Sequence, residues 1–485
     1  MAQIVILGAG ISGHTAAMRL ARDLRGSQHK IVVINPRTYW NWVPSNIWVG
    51  TGKMDAKKVT FELGPIYKRA GVDFRLGAAT VIHPEGGDGH NLPFVEYAEG
   101  VGGTGATRSV EYDFLINCTG PKLKFEATPG LGPDTGNTVS VCTDQHAIGA
   151  AKAFKEVVQR LRAGQKQRLV IGTGSGTCTC QGAAFEYTYN VEHELREMGL
   201  RDKAEIVYLT NEAELGDFGV GGLTFKDRGY LMSSRQWAES LFRERGVKAL
   251  TGTAPVNITK DEITYENIAG ETHTIHYDFA MLLPPFVGVG MTAVDKNGED
   301  ITGKVFNPAG FLKVDGDYTP KKFEEFDAKD WPKTYQNPDY PNMFAAGIAF
   351  APPHQITRPY TNPNGTAIAP APPRTGMPSG TIAAQVAKSV ADLLKNPHAK
   401  LHEASMAELG SACVASTGNN LFSGSAASIL MYPIVPNPEK FGVTGRHPRH
   451  TKGEIGLGGH WTKLLYHYLF IYKAKARPLW WLLPE

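Results

Sequence analysis

Apolar residues along this chain gather into short unbroken runs of strand length, separated by stretches with helical spacing. The first run, residues 3–8 (QIVILG), is followed by Gly8, Gly10 and Gly13 and then by a helical pattern from Thr15 to Leu24. Residues 30–34 (KIVVI) supply the next strand. The glycines therefore fall inside a strand, turn, helix, strand unit. There they let the backbone approach a pyrophosphate, while the helix N-terminus offers N–H groups and positive dipole. This unit predicts a dinucleotide-binding lobe. The acidic residue usual after the second strand, which binds a ribose hydroxyl, is replaced by Asn35-Pro36, and Asn35 keeps a hydrogen-bonding group at that place.

The same pattern recurs. Residues 112–121 (YDFLINCTGP) read as an apolar strand ending in Thr119-Gly120 that closes the first lobe. Residues 168–187 (RLVIGTGSGTCTCQGAAFEY) repeat the strand, glycine turn and helix start. Two such units predict an α/β chain with two Rossmann-like dinucleotide-binding domains. The second would ordinarily hold NAD(P)H, yet Cys178 and Cys180 stand at the opening of its helix. Residues 342–350 (NMFAAGIAF) read as a strand returning to the first lobe and bring Gly347 with it; Ile348 and Ala349 stand where many such chains carry an Asp. The Pro-rich stretch 369–380, with Arg374, Thr375 and Gly376, precedes a helix expected over Thr381 to Leu394, whose N-terminus faces the cofactor. The resulting division is 1–165 and 301–400 for the two parts of the first dinucleotide-binding domain, 166–300 for the second, and 401–485 for a C-terminal region.

Composition narrows the class. A chain of 485 residues exceeds the size of a single core. A formal charge of +3 is too small to argue for nucleic acid. Five cysteines, an odd number in a long chain, do not make a disulfide framework, so a pair among them is expected to be redox-active; Cys118, inside an apolar strand, is expected to be a buried small hydrophobe. No signal-peptide pattern precedes the first strand, which argues against export. No stretch approaches 18 uncharged apolar residues. From His460 onward, however, the chain mixes Trp, Tyr and Leu with Lys463, His467, Lys473, Lys475 and Arg477, the composition of a segment in a headgroup region. The expectation is a peripheral, monotopic protein on a lipid surface, taken to be the cytoplasmic membrane with its face open; a terminal helix packed on its own domain is the alternative.

Five segments in order carry a resemblance: VPSNIWVG (43–50, with Pro44), VCTDQHA (141–147), CQGAAFEY (180–187), LLPPFVGV (282–289) and ACVASTG (412–418). Together they resemble the sulfide:quinone oxidoreductases, relatives of type II NADH dehydrogenases and of the flavin subunit of flavocytochrome c sulfide dehydrogenase. The resemblance implies FAD held by Gly8, Gly10, Gly13, Asn35, Pro44, Gly120, Gly347, Arg374, Thr375 and Gly376. It implies a Cys180–Cys413 disulfide, with or without extra sulfur, which sulfide attacks so that electrons pass to the flavin. Cys142 then receives product sulfur or holds the flavin covalently. Glu186 and His146 are implied as proton carriers, although each also fits an ordinary helix residue. Tyr466 is implied against the quinone, with Tyr468 and Phe470 as competitors. Arg374 replaces a frequent lysine near the reduced flavin, and Asp217 replaces a frequent histidine. The implied partners are sulfide, quinone, a lipid surface and further copies of the chain, with no metal. An NADH:quinone oxidoreductase, a flavocytochrome-type subunit and a flavin-bearing scaffold are the competing readings.

Overall fold

The computed structural model describes residues 1–87, 89–177, 181–227, 230–418, 421–422 and 424–485. Cys178 and Cys180 lie outside the described residues.

The first sheet is built on β1 (Gln3–Leu7), β2 (Lys30–Asn35), β3 (Asp73–His83), β4 (Phe94–Glu99), β5 (Thr107–Glu111) and β6 (Phe114–Asn117). β1 lies between β2 and β6, parallel to both, with Ile4 opposite Ile31 and Phe114. Its residues 4–7 are fully buried. Such a run stays apolar on successive residues because both sheet faces are covered. α1 (Ile11–Asp23) starts directly at the glycine turn, with Gly10 as its N-cap residue, four residues before the helical spacing alone suggests.

The second lobe holds β7 (Gln167–Thr173), β8 (Ala204–Leu209), β9 (Val247–Leu250) and β10 (Phe279–Leu283), all parallel in the order β9, β8, β7, β10. α2 (Asn46–Gly50) and α3 (Asp144–Arg162) precede it in the chain, and α4 (Gln181–Glu197) follows β7. β11 (Met343–Ala345) then pairs parallel with β6 and returns the chain to the first sheet. This strand is shorter than the apolar run 342–350 predicts. Gly347, at φ +70°, turns the backbone against Ser12 of α1, and a side chain there would overlap the Ser12 hydroxyl. α5 spans Gly376–Lys395, beginning before the expected Thr381. Pro378 falls in its first turn, where a missing N–H costs no helical hydrogen bond.

At the C-terminal end β12 (Ser411–Thr417), β13 (Ser425–Met431) and β14 (Lys452–Gly456) form an antiparallel sheet on which α6 (Leu457–Ala474) packs. The chain then folds back. Lys473 Nζ donates to the Leu483 and Pro484 carbonyls, and the Glu485 carboxylate bridges Lys473 and Arg19, each at 2.7 Å. Trp480 is buried by this return, so part of the aromatic tail packs on its own domain. Among the described residues no helix is long and apolar enough to cross a membrane.

Candidate active site

The glycine turn has the shape that a dinucleotide requires. Gly8 is closed against the Cys118 backbone and Gly13 against the Gly8 carbonyl, so a β-carbon has no room at either, whereas Gly10 is exposed and faces open space. Close helix–strand packing on one side and backbone open to a ligand on the other is the pattern that admits a pyrophosphate. Asn35 is buried and holds the turn from below: its Oδ1 accepts from the Ala9 amide at 2.8 Å and its Nδ2 donates to the Arg37 carbonyl at 2.7 Å. Its amide oxygen thus shapes the loop. Gly376, opening α5, lies against Ile11, opening α1, so two helix N-termini converge on the turn. Gly120 faces open space next to the β6 end. These residues fit FAD.

Thr375 and Arg374 flank that convergence. Thr375 Oγ1 bonds Ser411 Oγ at 3.0 Å, tying α5 to β12. Arg374 is buried, donates to the Ile348 and Phe350 carbonyls at 2.7 and 2.8 Å, and lies over the Phe311 ring. Its guanidinium fixes the segment that carries Ile348 and Ala349 in place of an Asp.

Cys413 sits in β12, and its sulfur rests on Gly182 in the first turn of α4: a β-carbon at Gly182 would stand 2.5 Å from it. Only a glycine leaves that approach open. The Cys413 sulfur is therefore delivered to the helix start that immediately follows Cys180. Four residues further along α4, Glu186 is buried, bonds Lys463 Nζ at 3.0 Å and accepts from the Ser416 amide at 3.3 Å. Burial pushes the Glu186 carboxyl up, and Lys463 opposes that shift.

Lys463 belongs to a row on α6. His460 bonds Ser416 Oγ at 2.5 Å, His467 bonds Ser45 Oγ at 2.9 Å, and Phe470 stacks on Trp42 with centroids 4.9 Å apart. Trp461, Leu465 and Tyr468, on the opposite face, are 49, 57 and 67% exposed. The helix is inverted, with its polar face inward. The basic residues that composition assigns to a lipid surface are in part the buried ones: His460, Lys463 and His467 recur every three or four positions, and that spacing is the signal that could have placed them. Tyr466 is half-buried and meets Phe470 edge-on at 5.9 Å.

Cys142 and His146 lie at the start of α3. The peptide carrying Cys142 is held by α2, with Asn46 Nδ2 donating to the Val141 carbonyl at 3.3 Å. Pro44 opens the turn before α2. His146 lines a cavity of about 440 Å³ together with Arg37, Tyr39, Phe125, Asp134 and Gln145. Burial lowers its basicity, opposed by Asp134.

In the second lobe the glycine turn is tied to a later part of the chain. Gly176 forms a parallel bridge with Ile368, and Asn211 Nδ2 donates to the Gly176 and Ala369 carbonyls at 3.3 and 3.0 Å. The start of the Pro-rich segment thus packs against the turn at Gly176. Glu212, at the end of β8 where an acid would meet a ribose, is 1% exposed and turned inward.

The profile of the family described as "Pyridine nucleotide-disulphide oxidoreductase" matches residues 2–322. The sulfide-quinone reductase of Aquifex aeolicus (strain VF5) is 26% identical over 473 residues, covering 97% of this chain and 91% of that protein. The X-ray structure of the sulfide:quinone oxidoreductase from Aquifex aeolicus superposes with a TM-score of 0.75, covering 98% of this chain and 92% of that one. NDH2 from Plasmodium falciparum, solved in complex with NADH, shares the fold with a TM-score of 0.62 at 12% identity, over 99% and 97% of the two chains. Matched through two thirds of its length and resembling the Aquifex protein from end to end, the chain belongs to the pyridine nucleotide-disulphide oxidoreductase family of FAD-binding flavoproteins and is sulfide:quinone oxidoreductase-like.

Proposed function

We propose that this protein oxidises sulfide at a Cys180–Cys413 centre and delivers the electrons to a membrane quinone. FAD, when bound, supplies the two-electron relay between the halves. The observation that carries the reading is the seat of the Cys413 sulfur on Gly182, two residues after Cys180 in the chain. A sulfur pair there accepts the sulfide sulfur while one cysteine leaves with the electron pair. Cys142, at the opening of α3, takes the product sulfur. Glu186 and Lys463 bridge the cysteine helix to α6, and Tyr466 and Phe470 form the aromatic wall for the quinone ring. Cys178 and Cys180 at the second helix start and the packing of residues 368–369 against Gly176 favour this reading over oxidation of NADH.

The inverted face of α6 supports attachment to a lipid surface. A helix that turns apolar side chains outward and basic ones inward is at odds with water and at home in a headgroup region.

The test is Cys413→Ser in the FAD-loaded protein. The variant is expected to keep its flavin, lose bleaching by sulfide and still accept electrons from dithionite and pass them to quinone. Undiminished bleaching by sulfide would overturn the assignment.

A further inference from the structure

Residues 475–485 fold back from the end of α6 onto α1 and roof an aromatic slot. Ala476 and Leu479 in this return are left-handed, at φ 49° and 62°, a conformation neither side chain adopts without cost. Arg19 of α1 clamps it, donating to the Glu485 carboxylate and the Trp481 carbonyl while its guanidinium lies over the Trp480 ring. The lining of the cavity below, about 30 Å³, includes Ile11, His14, Trp40, Trp42, Phe470 and Trp480. Trp42 stacks between two rings, 5.9 Å from Trp40 at 18° and 4.9 Å from Phe470 at 15°. Ile11 also lies against Gly376, where two helix N-termini converge on the nucleotide turn.

Both indoles are buried, at 3 and 5% exposure, and neither Nε1 has a hydrogen-bond partner. Other polar groups of the lining are engaged. His14 lies between the Tyr67 hydroxyl and the Ala474 carbonyl, and Lys473 holds the Leu483 and Pro484 carbonyls and the Glu485 carboxylate. An indole N–H donates and cannot accept, and a buried donor left unpaired is costly. The slot therefore calls for a flat apolar body that carries acceptors.

We propose that this slot receives the quinone ring, that the Trp40 and Trp42 N–H groups donate to its carbonyl oxygens, and that residues 475–485 are a strap that withdraws to admit it. The inference rests on the quinone reading above and extends its aromatic wall from Phe470 to two hydrogen-bond donors. A quinone is flat and apolar, offers carbonyl acceptors and asks for no acceptor in return. A cavity of about 30 Å³ has room for roughly two waters rather than a ring, so the strap in this position keeps the ring out. Leu479 and Leu482 of the strap are exposed, and a lipid surface that takes them up pulls on the strap itself.

The experiment is anaerobic stopped-flow reoxidation of the FAD-loaded, dithionite-reduced protein by a soluble short-chain benzoquinone at a series of concentrations, with ferricyanide as an acceptor that needs no slot. The proteins are the wild type, Trp40→Phe, Trp42→Phe, the double variant Trp40→Phe/Trp42→Phe, and Glu485→Gln. Each single tryptophan variant, which keeps an aromatic ring and removes the N–H, is expected to raise the half-saturating quinone concentration by about threefold or more, and the double variant by about tenfold or more. Ferricyanide is expected to reoxidise all of them at wild-type speed. Glu485→Gln, which removes the charge shared by Lys473 and Arg19, is expected to raise the second-order rate constant with quinone by about threefold or more as the open strap becomes more populated. Wild-type half-saturation in the three tryptophan variants would overturn the slot while leaving the quinone reading intact. Equal losses with quinone and ferricyanide would overturn it too, since a general defect at the flavin explains them. An unchanged or lower rate constant in Glu485→Gln would overturn the role of the strap. A reduced wild-type flavin that ferricyanide reoxidises and quinone does not would overturn the quinone reading and the slot with it.

Discussion

Glu186 and Lys463 hold opposite charges out of water, so each depends on the other more than a surface pair would. Lys463→Met, which strands the carboxylate, is expected to lower unfolding stability by about 3–5 kcal/mol, whereas the double variant Glu186→Leu/Lys463→Met recovers much of the loss. Chemical denaturation of the four proteins of this cycle checks it. Glu212 gives a prediction in pH. Its folded carboxyl is raised from 4.5 to about 8, so the protonated form is the one the fold favours. The stability it contributes is complete below pH 4.5 and is lost as pH rises toward 8. The difference in stability between wild type and Glu212→Gln, measured by urea unfolding at a series of pH values, is expected to shift in favour of the variant across that window. A difference that stays constant would contradict the burial argument. Cys118 illustrates the opposite case, a thiol pushed up by burial in the apolar strand end and thus inert.

α6 is fastened to other elements by histidines on it and against it. His14 of α1 lies between the Tyr67 hydroxyl at 3.0 Å and the Ala474 carbonyl at 2.7 Å, so Nε2 donates and Nδ1 accepts, which is the neutral ring. Burial lowers its pKa from 6.5 to about 4, and His467 falls likewise to about 4 through burial and the nearby Lys463. A depressed base stabilises the fold above its ordinary pKa and ceases to do so as pH falls from 6.5 toward 4. Proteolytic release of the C-terminal segment is accordingly expected to accelerate between those values, and His14→Gln to be cleaved faster already at neutral pH. Much of this architecture is legible in the chain. Both glycine-turn units can be read because strand runs and helix starts are local patterns, whereas β3, β4, β5, β8 and β9 are not read from the sequence. The meeting of Cys413 with α4 is not local: it depends on β12 crossing Gly182, and only the ordered cysteine segments pointed to it. The turn at Gly347 and the polar interior of α6 escaped because a run of small apolar residues does not announce a turn, and because aromatic and basic residues have the same composition whichever face is buried.

At the scale of the whole molecule, the exposed apolar residues of α6 and of the returning tail, Trp461, Leu465, Tyr468, Leu479 and Leu482, are the physical reason to expect a lipid surface. Leu465→Asp is expected to weaken sedimentation with anionic vesicles by about tenfold or more, given roughly 1.5–3 kcal/mol for burying one leucine side chain. Activity with a water-soluble quinone is expected to persist. Unchanged vesicle binding would argue that this face serves another purpose. Passage of electrons from sulfide through one flavin to quinone is tested by titrating the FAD-loaded wild-type protein with sulfide under anaerobic conditions, following flavin absorbance, and then adding quinone. Bleaching by sulfide, recovery with quinone and no bleaching by NADH are expected. Bleaching by NADH with indifference to sulfide would contradict it.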